Sequence, residues 1–228
     1  MCLSIRTPRA IPDRLWFMTF TTYRITRDGV DRLLFLMHGY TAEQHHLASY
    51  VPLVDPDERF TAIAPRGPLT MPDGDGAGWW DIDLETFEHR WDQFGPVLEE
   101  LEAFIAAEAA AAGVPLDRCV VGGFSQGGFL ALALAGKPDA PDYAGVWAIC
   151  CGMPEAEDVS VDLSNGNGRP VLYQWGNRDV VIGPDRPQEV IDALDAGGWD
   201  LRHHEYDMAH SQTIEMMVDA RDWLAGVL

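Results

Sequence analysis

The chain has 228 residues and 47% hydrophobic content, enough to bury a core within one undivided domain and far from a disordered composition. Its 36 acids against 16 bases give a net charge of −20, which repels nucleic acid and anionic lipid surfaces. No apolar run reaches the roughly 18 residues of a membrane span, and the opening "MCLSIRTPRAIPDRLWF" lacks the apolar stretch of a signal peptide. A cytoplasmic protein without stable membrane association is expected.

In chain order, "LWFMTFTTYRIT" (15–26) is rich in β-formers and predicts an early strand. "RLLFLMHG" (32–39) is a continuous apolar run stopped by glycine, the pattern of a strand buried on both faces. His45 and His46 fall on a short helix-like stretch, and "FTAIAP" (60–65) reads as another strand. A glycine-rich acidic loop, "RGPLTMPDGDGAGWWDID" (66–83), follows. From 90 to 112, Leu98, Leu101, Phe104 and Ile105 recur at helical spacing, and Gly113 can end the helix. "RCVVGG" (118–123) predicts a strand, "QGGFLALALAG" (126–136) a helix and "AGVWAICCG" (144–152) a strand. After a polar loop at 153–169 come strands at 171–176 and 199–206, a helix at 186–196 and a final amphipathic helix at 211–226. This alternation predicts an α/β fold: one domain over 1–228, a mostly parallel central sheet with helices on both faces, and no large cap domain. Both long loops follow strands, so both should lie at the carboxyl edge, where open α/β sheets bind ligands.

Cys2, Cys119, Cys150 and Cys151 show no metal-type spacing and read as reduced thiols. The histidine pairs give no spacing signal for a metal either.

Chemistry concentrates at "VVGGFSQGGFLALALAG" (120–136). Gly123-Phe124-Ser125-Gln126-Gly127 is G-x-S-x-G, with a strand predicted before it and a helix after it. That context makes a nucleophile elbow, in which flanking glycines let strand and helix approach and Ser125 Oγ projects beside a helix N-terminus. A plain glycine-rich turn capped by Ser125 is the competing reading. A serine nucleophile needs a histidine base and an acid that orients it, in the chain order Ser, Asp or Glu, His. "VLYQWGNRDVV" places Asp179 in the turn after a strand, and "HHEYDMAHSQ" places His210 before the last helix. Asp185 reads as a helix cap, and Asp207 is too close in sequence to orient His210. His203 and His204 should point to opposite faces of a strand. An oxyanion hole would take one N–H from Gln126 and another from Tyr40, after the Gly39 turn, with His38 bracing that loop.

These segments together resemble the phospholipase/carboxylesterase group of α/β-hydrolases, which includes the acyl-protein thioesterases. The resemblance rests on "GGFSQGG", "FLMHGY", "AIAPRGP…GWWDID", "YQWGNRDVVI" and "HEYDMAH". It implies the triad Ser125, Asp179 and His210, an oxyanion hole of the Tyr40 and Gln126 amides, and no cofactor. Three departures stand out. Tyr-Thr-Ala-Glu follows His-Gly where the family has a further glycine and an acid. Trp175-Gly176 replaces His-Gly before Asp179, and Ala209-His210 replaces Gly-His. The expected reaction is hydrolysis of short- to medium-chain carboxylic esters through an acyl-enzyme. Acyl thioesterase and lysophospholipase activities are the alternatives, and a catalytically silent hydrolase-fold binding protein is the rival of another class. Trp79, Trp80 and Met153 are expected to line an apolar acyl pocket, and the Trp-containing loop is a candidate homodimer face.

Overall fold

The computed structural model describes residues 20–72 and 74–227. Its seven-stranded sheet is built from β1 (Thr22–Ile25), β2 (Leu33–Met37), β3 (Thr61–Pro65), β6 (Cys119–Phe124), β7 (Gly145–Ile149), β8 (Pro170–Gly176) and β9 (Asp200–Tyr206). The strand order is β1-β3-β2-β6-β7-β8-β9. Only β1 runs antiparallel, against β3. A separate two-stranded ribbon pairs β4 (Leu69–Thr70) with β5 (Ala77–Gly78) inside the first long loop. Strands of two residues carry no periodicity, so the sequence gives no sign of them. The first 5 residues of the strand expected at 15–26 fall outside the described residues.

Alternation along the strands explains the continuous apolar runs. Leu33, Phe35 and Met37 of β2 face one core with α3 (Phe94–Ala112), α4 (Gln126–Gly136) and α5 (Arg186–Ala196). Leu34 and Leu36 face the other, with α1 (His45–Ala48), α2 (Val51–Val54) and α6 (Ile214–Leu224). A parallel strand covered on both faces has no polar side, so it reads as unbroken hydrophobicity.

Helix boundaries differ from expectation at two places. α3 starts at Phe94, after a 3-10 turn at Trp91–Gln93, and Pro96 falls in its first turn, where a missing N–H costs no bond. Gly113 ends it at φ 67°, the left-handed position glycine accepts. α6 starts at Ile214 because Thr213 caps it, its hydroxyl accepting from Met216 N at 3.2 Å. Asp185 occupies the N-cap position of α5, but its side chain makes no capping bond.

The chain runs from β2 out to β3 and then returns to place β6 on β2's other side. The strand order therefore reverses between β2 and β6, the switch point where open α/β sheets bind ligands. Met37 pairs with Gly123, which brings the His38–Tyr40 turn beside Phe124 and Ser125.

Candidate active site

Ser125 lies between β6 and α4 at φ 55°, ψ −117°, a strained backbone for a residue with a side chain. Its amide donates to Ile149 O at 2.8 Å, and its carbonyl accepts from Gly128 N and Phe129 N, so both sides of the turn are anchored. The flanking glycines have steric causes. A Cβ on Gly123 would sit 2.2 Å from the Gly127 carbonyl carbon, and one on Gly127 would sit 2.1 Å from Met37 O. At Gly128 it would meet Cys151 Sγ at 2.8 Å, so the first turn of α4 lies tight on the sheet. Gly122 faces Trp147 of β7, whose Cβ would be 3.1 Å away.

His210 and Asp179 meet in space, His210 Nδ1 lying 2.7 Å from Asp179 Oδ2. The other carboxylate oxygen accepts from Val181 N (2.9 Å) and Ile182 N (3.1 Å). Burial alone would raise this carboxyl, but the His210 hydrogen bond and charge, with the two amides, outweigh it and hold Asp179 below its ordinary value. A carboxylate can only accept, so Nδ1 is the donor, and in the neutral ring Nε2 carries the lone pair. The imidazole packs on Phe124, the residue before the serine, with ring centroids 4.8 Å apart. Asp207 instead pairs with Arg178 at 2.9 Å on the surface. His203 stacks on Trp175, while His204 lies 3.9 Å from Asp219, so the two do leave β9 in different surroundings.

A buried polar residue sets the depth of the His210 segment. Gln174 of β8, fully buried, accepts from Trp147 Nε1 at 2.7 Å and donates to Tyr206 O–H and Met216 O. It thereby ties β7, β9 and α6 together around the loop that carries His210.

On the opposite side, His38 braces the Gly39–Tyr40 turn. Gly67 N donates to its Nε2 at 2.9 Å, which leaves Nδ1 to donate to Gly39 O at 2.7 Å. Burial is the main cause that lowers its pKa to about 4, so it stays neutral. A Cβ on Gly39 would lie 2.9 Å from the Phe124 ring and 3.3 Å from Ser125 Cβ, so the turn passes directly beside Ser125. The Tyr40 hydroxyl donates to Asp81 Oδ1 at 2.9 Å, and its pKa is pushed up to about 12 by burial and by that bond. The Gln126 side chain holds the loop: Oε1 accepts from Trp79 N (2.8 Å) and Nε2 donates to Trp80 O (2.7 Å). Sequence reasoning considered only the amide of Gln126 and gave Asp81 no role. The aromatic-Asp pair in "GWWDID" was the available signal.

The pocket expectation needs correction. Trp79 and Trp80 are each 0% exposed. The Trp79 indole donates to His38 O at 2.8 Å, and the Trp80 indole donates to His89 Nδ1 and packs among Trp91, Phe94 and Phe129. They support the loop from below. Met153 is half-buried and keeps some surface. Cys119, Cys150 and Cys151 are free and buried, as expected; Cys2 lies outside the described residues.

The pattern of the phospholipase/carboxylesterase family matches residues 25–228. The chain belongs to that family. It is a hydrolase acting on ester bonds, a serine hydrolase of the esterase and thioesterase type. Among curated proteins it resembles acyl-protein thioesterase 1 of Mycosarcoma maydis, 29% identical over 72% of this chain and 75% of that one. The corresponding protein of Debaryomyces hansenii is 26% identical over 77% and 75%. The Bacillus cereus carboxylesterase shares the fold at a TM-score of 0.77 and 16% identity, over 92% of this chain and 95% of that one. Acyl-protein thioesterase 2 of Zea mays aligns at 0.68 and 20%, over 91% and 99%. Membership in a family of enzymes favours hydrolysis over the catalytically silent alternative. Among the described residues no helix is long and apolar enough to cross a membrane.

Proposed function

We propose that the chain cleaves small carboxylic esters through an acyl-enzyme, with Ser125 as nucleophile, His210 as general base and Asp179 as its orienting partner. The observation that carries this reading is the 2.7 Å contact of His210 with Asp179, its ring resting on Phe124 beside the strained Ser125. His210 Nε2 takes the Ser125 proton as Oγ attacks the carbonyl carbon, and Asp179 stabilises the imidazolium. The amides of Tyr40 and Gln126 hold the oxyanion, each donor contributing about 3–4 kcal/mol. His210 protonates the leaving alcohol, then activates the water that releases the acid. No cofactor or metal enters these steps. Met153 is the remaining candidate for the acyl site. The preference for short to medium chains rests on the loops: among the described residues, 66–93 and 150–169 hold no helix beyond the 3-10 turn at Trp91–Gln93.

A fluorophosphonate probe tests the core of the reading. The intact protein should be labelled at Ser125 and Ser125→Ala should not; a well-folded protein that takes no label refutes it. The curated relatives are acyl-protein thioesterases, which supports thioester hydrolysis as a second reading. A chain-length series of aryl esters beside acyl thioesters separates the two. Rates that climb beyond about ten carbons would overturn the small-ester preference.

A further inference from the structure

One buried group beside the catalytic residues has no part in the steps above. Cys150 follows the last residue of β7 and adopts φ 48°, an uncommon conformation for a residue with a side chain. Its amide donates to Gln174 O at 2.8 Å, which fixes the backbone in this position. The thiol is fully buried, with Sγ 3.7 Å from Ser211 O. Burial is the main cause that pushes its pKa up, so it stays a thiol and is no rival nucleophile. One ligand atom each from Cys150, Asp179 and His210 lies within 4.8 Å of the other two. Sulfur, oxygen and nitrogen thus converge from the segments following β7, β8 and β9.

We propose that these three side chains form an inhibitory site for a soft divalent cation such as Zn2+ or Cd2+, which replaces the proton shared by His210 and Asp179. Three mixed donors with a fourth position open are a common zinc arrangement, and a thiolate selects against Mg2+ and Ca2+. Asp179 is prepared for the role: Val181 and Ile182 hold Oδ1, so Oδ2 is the oxygen presented. The protons balance. The thiol proton leaves to solvent as the sulfur–metal bond forms. The imidazole proton moves from Nδ1 to Nε2, which frees the Nδ1 lone pair for the ion. Thiolate and carboxylate then cancel the two charges of the cation. No oxidant or reductant is involved. Inhibition, as distinct from binding, rests on the triad reading: the proton now on Nε2 occupies the position that must receive the Ser125 proton.

Co2+ serves as the direct probe, in a Cys2→Ser background that removes the thiol outside the described residues. Titration of the full chain should give one equivalent bound with a thiolate-to-cobalt charge-transfer band, displaced by Zn2+ and absent from Cys150→Ala. Zn2+ should inhibit hydrolysis of p-nitrophenyl butyrate reversibly with chelator. The half-inhibitory concentration should rise at least roughly tenfold in Cys150→Ala. Absence of the thiolate band in the Cys150-containing protein overturns the site, and that result needs no folded variant. Equal Zn2+ sensitivity of a folded Cys150→Ala protein overturns it too. Failure of the triad reading is distinguishable, because it removes fluorophosphonate labelling while leaving the cobalt band in place.

Discussion

The two sides of Ser125 are built by different means. The His210–Asp179 side consists of short turns after β8 and β9 that bring two side chains into one hydrogen bond. The Gly39–Tyr40 side is a turn held by a long loop through His38, Gly67, Trp79, Gln126 and the Tyr40–Asp81 bond. On the proposed mechanism the first moves protons and depends on what its side chains are. On the same proposal the second presents backbone amides and depends on where other groups hold it. Damage on the first side should therefore abolish chemistry with little change in stability, whereas damage on the second should affect both together.

The largest expected effect tests the first half of that contrast. Asp179→Asn keeps the shape but lets the imidazole take the wrong tautomer, and kcat should fall about 10^4-fold. Denaturant melts of the same variant should show a much smaller change. Comparable losses in both would erase the distinction.

Acid should unfold the two sides in different windows. His38 has a folded pKa of about 4 against an ordinary 6.5. Between those values the unfolded chain binds a proton that the folded chain refuses, so stability falls as pH drops from about 6.5 to 4. The loss is on the order of 3 kcal/mol. Asp179 has its pKa lowered, so its contribution is present above the ordinary carboxyl value and is lost only as pH falls through the depressed one. Denaturant melts from pH 7 to 4 should show the slope, and His38→Asn should reduce it without abolishing it, because burial lowers His89 to about 4 as well. A slope unchanged in that variant would assign the acid sensitivity elsewhere.

Gln126→Ala removes the links to Trp79 N and Trp80 O while leaving the backbone amide present. It should lower kcat about tenfold to a hundredfold with KM nearly constant, and lower Tm as well. A loss confined to KM would show that the side chain serves substrate binding instead. Gly122→Ala should act on stability alone, by about 1–2 kcal/mol from crowding Trp147, with fluorophosphonate labelling unchanged.

The same contrast explains what was legible in the sequence. The places of Ser125, Asp179 and His210 in the fold could be read because each lies in the turn just beyond a recognisable strand. Buried strands such as β2 declared themselves by unbroken hydrophobicity, and α4 and α5 by their composition and stops. Trp79 and Trp80 misled because a large aromatic in a glycine-rich loop looks available for a ligand; only the packing of Phe94, Phe129 and His38 around them shows them to be interior. The Tyr40–Asp81 and Gln126–Trp79 bonds span 41 and 47 residues and follow no spacing rule. The role of Gly122 leaves no mark in the sequence for a similar reason, since its neighbour Trp147 lies on another strand.

The bond from Trp79 N to Gln126 Oε1 also has a consequence in time. That amide proton is buried and can exchange with solvent only when the loop lifts from the first residue of α4. Its exchange lifetime thus records how often the Trp79 loop and the start of α4 come apart, at a single proton some distance from Ser125. A bound inhibitor that holds the two together should lengthen that lifetime, which makes one tryptophan amide a clock for the assembled site.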